Sequence, residues 1–153
     1  MRLGDCSSVL DTQARNATEN LAHAKCHLQN RNWGSAIEAS KGLQNGVIGD
    51  YARWIKASAH LENKEPVLAY ETLKGLELPG TLRWEVPLAR GKALVQAGRS
   101  LEARPGLRDL LETPVGIEAR YWLAVGGKDR GEVQAAAATF RRVWTHGVRG
   151  QWD

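Results

Sequence analysis

Three side chains with metal-binding or redox chemistry fall within about one helical turn: His23, Cys26 and His27, with Cys6 twenty residues before Cys26. Histidines at i and i+4 share a helix face and can grip one metal ion, and a thiolate would complete a plausible zinc set. The same sulfurs admit a second chemistry. A disulfide between Cys6 and Cys26 would close a loop of about twenty residues and contribute roughly 3 kcal/mol, given an oxidising compartment. Two unrelated thiols, with Cys26 buried, form the third alternative. The disulfide is the favoured reading, and no metal site is expected.

Carboxylates are the other candidates. Glu62 and Glu65 straddle a turn, and Glu102 and Asp109 lie seven residues apart on one helix. Both pairs suit a solvated face or ion pairing with Lys64, Arg104 or Arg108. General acid–base work needs perturbed carboxyls in a cleft, which no pattern here indicates. There is no phosphate-binding glycine loop and no nucleophile motif. No catalytic residue and no cofactor are expected in these residues.

The elements that position these groups are set by a period. Ala36, Ala69, Ala103 and Ala136 recur at intervals of 33, 34 and 33 residues, each twelve residues after Ala24, Ala57, Gly91 or Ala124. A period near 34 residues belongs to stacked helix–turn–helix repeats, and small residues fit where paired helices approach most closely. Larger side chains follow each small residue at four and seven positions: Leu73 and Leu76, Leu107 and Leu110, Phe140 and Val143, with the weaker Ser40 and Leu43 in the first repeat. Such a stripe is buried only by a neighbour. The expected fold is all-α, a right-handed α-solenoid of about four antiparallel helix pairs.

The boundaries follow. An N-terminal segment covers 1–11 and the array covers 12–148, with repeats at about 12–46, 49–79, 81–113 and 116–147. Asn45-Gly46 reads as a helix end, Asp50 as the next N-cap, and Pro66 and Pro87 as first-turn prolines. Arg31-Asn32, Asn63-Lys64, Gly98 and Gly131 mark turns, and Ser100 reads as an N-cap. Pro105 predicts a kink or a late helix start. Trp144, Val148 and Trp152 follow the last repeat without a polar capping helix. This predicts exposed apolar surface on the last pair and places 149–153 at the start of a truncated continuation.

Composition narrows the function classes. The chain has 153 residues, is 42% hydrophobic and 25% charged, and carries a formal net charge of +4. That suits a folded domain with a mixed-charge surface. Lys and Arg are scattered among Asp and Glu without a nucleic-acid motif, so no nucleic-acid partner is expected. No stretch approaches the ~18 apolar residues of a transmembrane helix, so membrane insertion is not expected. Met1 to Leu10 lacks the apolar core of a secretion signal.

The repeat pattern resembles the tetratricopeptide repeat through the small pair of each unit, Phe140, and the turn residues Gly98 and Gly131. The family's proline at each repeat end is missing. A closer likeness runs from Gly116 through Arg120-Tyr121-Trp122-Leu123-Ala124 to Phe140-Arg141-Arg142-Val143-Trp144. It is similar to the helical superhelix that precedes the catalytic domain of bacterial soluble lytic murein transglycosylases. The resemblance implies a periplasmic or cell-envelope scaffold, with a cytoplasmic location as the alternative. Its partners would be a protein, a peptidoglycan strand, or a downstream catalytic domain of its own chain. That family's Glu-Ser catalytic motif has no counterpart in this sequence.

In arrays of this kind, fixed positions of each first helix line a concave face. The resemblance therefore places Lys25, Tyr51, Trp54, Lys92 and Tyr121 on a binding face, in register with Leu61, Leu88 and Val95. Aromatic rings beside lysines suit a sugar or a peptide. The same rings could equally pack between repeats.

Overall fold

A computed structural model describes residues 6–43, 46–129 and 131–147, and every regular element among them is an α-helix. The chain divides into two compact units, Met1–Leu78 and Pro79–Asp153. The boundary coincides with the Leu78-Pro79-Gly80 stop that ends the second expected repeat.

The first unit holds α1 (Cys6–Leu10), α2 (Ala17–Gln29), α3 (Trp33–Ser40), α4 (Gly46–Glu62) and α5 (Pro66–Leu73). Within it α2 packs on α3, α3 on α4 and α4 on α5, while α2 also touches α4 and α1 lies on α2. The second unit holds α6 (Leu82–Gln96), α7 (Ser100–Asp109), α8 (Gly116–Asp129) and α9 (Val133–Gly147). Its order of packing is the same: α6 on α7, α7 on α8, α8 on α9, and α6 on α8.

The small pairs lie at the contacts. Ala24, Ala36, Ala57 and Ala69 are fully buried in the first unit, and Gly91, Ala103, Ala124 and Ala136 are buried in the second. Leu73, Leu76, Leu107 and Leu110 are buried as the stripe requires, as are Ser40 and Leu43. Phe140 and Val143 are half-buried.

Each pair of helices is joined by one backbone device. Arg31, Lys64, Gly98 and Gly131 all adopt positive φ, at 60°, 60°, 75° and 82°. The next residue in each turn donates its N–H five residues back, Asn32 to His27, Glu65 to His60, Arg99 to Leu94 and Glu132 to Gly127, at 2.8–2.9 Å. This is the Schellman closure, which satisfies carbonyls orphaned at a helix end. Glycine meets its backbone requirement without strain, whereas a side chain in the left-handed region costs roughly 1–2 kcal/mol. Lys64→Gly is therefore expected to stabilise the protein by about 0.5–1 kcal/mol, raising Tm by roughly 2–4 °C. Thermal unfolding followed by circular dichroism checks this, and an unchanged or lower Tm would contradict the turn assignment.

Several helix ends differ from the sequence reading. The second helix of the first pair stops at Ser40 because Gly42 turns the chain at φ 85°, and Gly46 begins α4 rather than ending α3. Asp50 therefore lies inside α4, not at its cap. Arg99, not Ser100, is the N-cap of α7, and Ser100 is buried as its first residue. Pro87 and Pro105 both stand inside their helices, at the sixth position of α6 and of α7. Each removes one backbone donor, yet α7 begins on time at Ser100 because Ala103 and Leu107 anchor it in the core.

Candidate functional site

The N-terminal chemistry is built on α1 and α2. Asn16 caps α2 by accepting from the Glu19 N–H at 2.9 Å, and Glu19 reaches back to the Arg15 N–H at 2.7 Å. This reciprocal capping fixes where α2 starts. It thereby places Cys26 opposite Cys6 of α1, with Cα atoms 5.4 Å apart and the two sulfurs joined in a disulfide. The sulfurs are spent on that bond, so the thiolate-containing metal set with His23 and His27 is not what the chain builds. Among the described residues no three His, Cys, Asp or Glu side chains gather as a metal site. His23 and His27 meet edge to face, with centroids 6.5 Å apart. Burial, aided by the nearby His23, holds His27 below the ordinary histidine pKa.

The residues assigned to the binding face fall into both units. In the first, Lys25 of α2 is exposed, while Tyr51 and Trp54 of α4 are half-buried. In the second, the Lys92 ammonium of α6 lies 5.6 Å from the centre of the Trp122 ring on α8. Tyr121 meets Trp122 at 5.3 Å and Phe140 of α9 at 5.6 Å, and stays partly exposed. The second unit thus gathers a cation and three rings. The Trp122 indole N–H is buried with no hydrogen-bond partner among the described residues. Leu61, Leu88 and Val95, in register with these residues, are core side chains rather than surface ones.

Carboxylate partners also differ from expectation. Glu102 is held by Arg99 through two bonds, at 2.8 and 2.7 Å, and not by Arg104 or Arg108. That guanidinium keeps the Glu102 carboxyl below the usual range. Glu65 pairs with the buried His60 at 2.7 Å, which lowers its pKa in the same way. Both acids are partnered, and neither lines the groove described next.

One cleft of the second unit has no single signature in the sequence. It is a groove of about 540 Å³ between α7, α8 and α9. Its floor and walls include Leu111, Ile117, Leu123, Ala124, Gly127, Ala136 and Val143, and four arginines line it: Arg104, Arg108, Arg120 and Arg142. Glu132 is its one acidic lining residue. Arg120 reaches Glu112 at 3.4 Å. Arg104 and Arg108 stand one turn apart on α7 and make no ion pair among the described residues. The i, i+4 repeat of like charge was the available signal, since it works against helix stability and is kept where something else favours it.

The apolar surface expected on the last pair is present: Trp144 is 72% exposed and Val133 58%. Val148, Trp152 and the expected continuation over 149–153 lie outside the described residues. No helix among the described residues is long and apolar enough to cross a membrane. No family model, no curated protein and no solved structure matches this chain.

Proposed function

We propose that this chain is a non-catalytic helical-repeat scaffold and binding region of a bacterial cell-envelope protein. The observation that supports it most is the recurrence of one turn, with the same left-handed residue and the same backward hydrogen bond, at Arg31, Lys64, Gly98 and Gly131. Helical hairpins of one design are the units from which right-handed α-solenoids are stacked. The Cys6–Cys26 disulfide favours an oxidising compartment, as in a periplasm, over the cytoplasm. Together with the likeness of 116–146 to the superhelix of lytic murein transglycosylases, it favours a parent protein that works on peptidoglycan. The chain would then hold a glycan strand, a partner, or a catalytic domain in place.

Retention on purified peptidoglycan tests the reading. The wild type should be retained, with Trp54→Ala and Tyr121→Ala each weakening retention several-fold, because each removes a large flat apolar face on which a sugar could stack. Equal retention of all three proteins, or none of the wild type, removes the glycan strand as a partner. A second reading, a tetratricopeptide-type adaptor for other proteins unrelated to the cell wall, is favoured by the arginine-lined groove, which has no ring in its lining.

A further inference from the structure

We propose that the groove between α7, α8 and α9 docks an acidic peptide segment that carries apolar side chains between its carboxylates. The inference rests on the second unit alone and does not depend on the cell-wall reading.

Charge sets the sign of the ligand. Four arginines against one glutamate leave the lining strongly cationic. The guanidinium fork matches a carboxylate through two parallel hydrogen bonds. Arg104 and Arg108 are without a carboxylate partner among the described residues, while the nearby Glu102 is taken by Arg99. Two like charges one turn apart destabilise their own helix, and an arriving anion relieves that repulsion.

The lining decides the class. Leu111, Ile117, Leu123 and Val143 share the lining with the arginines. A compact inorganic anion would use none of that apolar surface, and about 540 Å³ is far more room than it needs. No aromatic side chain lines the groove, so a sugar ring finds no ring to stack on. A membrane is too flat to enter a cleft between helices. A peptide with leucines and glutamates in alternation uses both halves of the lining. The small floor residues Ala124, Gly127 and Ala136 leave room for its apolar side chains.

Fluorescence anisotropy on the whole chain tests this with a labelled amphipathic peptide of Glu, Leu and Ala. The expected result is saturable binding that weakens about tenfold or more for the Gln-for-Glu peptide, since charge-assisted bonds are about twice as strong as neutral ones. The Leu-to-Ala peptide should lose a similar factor, and affinity should fall as salt is raised. The double variant Arg104→Gln/Arg108→Gln should lose about tenfold while Lys41→Gln, in the first unit, loses nothing; circular dichroism confirms that both remain folded. Absence of binding, equal affinity for the Gln-for-Glu peptide, or an unchanged double variant overturns the proposal. So does displacement of the peptide by inorganic phosphate at matched ionic strength, which would mark a small-anion site. These outcomes leave the peptidoglycan result untouched, so the two readings fail separately.

Discussion

Reducing the Cys6–Cys26 disulfide is expected to lower the unfolding free energy of the first unit by about 3 kcal/mol. The sequence separation of 20 residues sets that figure, through the loop entropy restored to the unfolded chain. The loss should concentrate at the N-terminal end. The helix α1 has five residues and contributes no buried side chain, and its packing on α2 and the disulfide tie it to the unit. Helices this short do not persist in water without tertiary support. Denaturant unfolding followed by circular dichroism, with and without reductant, gives the measurement, and the Cys6→Ser/Cys26→Ala variant should reproduce the reduced midpoint under both conditions. A midpoint indifferent to reductant would mean that the bond does not stabilise the fold. Two titratable thiols in the denatured, unreduced protein would mean that it does not form.

Gly91→Ala should destabilise the second unit by about 1–3 kcal/mol, an unusual cost for adding one methyl group in a helix that intrinsically prefers alanine. A Cβ at Gly91 would stand 2.7 Å from Leu107 Cγ, well inside contact distance. Leu107 is fully buried and cannot swing out of the way. The equivalent pair in the first unit is Ala57 with Leu73, both fully buried. An alanine is therefore compatible with a leucine at that register, and the closeness of α6 and α7 makes the difference. Leu107→Ala alone should cost about 2–5 kcal/mol by leaving a cavity. The double variant should cost clearly less than the sum, because the smaller side chain admits the new methyl group. Strict additivity in thermal or urea unfolding would show that the two positions do not touch.

The legible part of this fold was the part governed by close approach. The small residues and the leucines that follow them were readable because a helix contact excludes larger side chains at one position and needs volume four and seven residues on. The turns were legible in position and half legible in geometry. Gly98 and Gly131 announced the left-handed backbone as well as the turn, whereas the side chains of Arg31 and Lys64 give no sign that they adopt it. Pro66 stands at the start of α5 as its type suggests, whereas Pro87 lies past the first turn of α6 and Pro105 does not delay the start of α7. Burial of one helix face outweighs a lost backbone bond, and local propensity cannot register that. Asp50 resembled a cap because Asn45-Gly46 resembled a stop, although Gly42 had already turned the chain.

The candidate sites divide along the same line. The disulfide was readable because two cysteines offer one pairing. The groove was not, since its arginines come from three helices and each is unremarkable in its own segment. The assigned binding face was read from a register that works for a regular array. That register correctly left Tyr121 at the surface, but it also gathered Leu61, Leu88 and Val95, which the core claims.

The helix contacts described above join only neighbours along the chain, or neighbours but one. A chain wired in this manner closes short loops as it forms, so each step forfeits little freedom before it gains its contact. Successive hairpins can then condense onto one another as soon as they meet, without waiting for distant segments to search each other out. During synthesis, the disulfide-bearing unit emerges ahead of the second unit and is the earlier of the two available for such assembly.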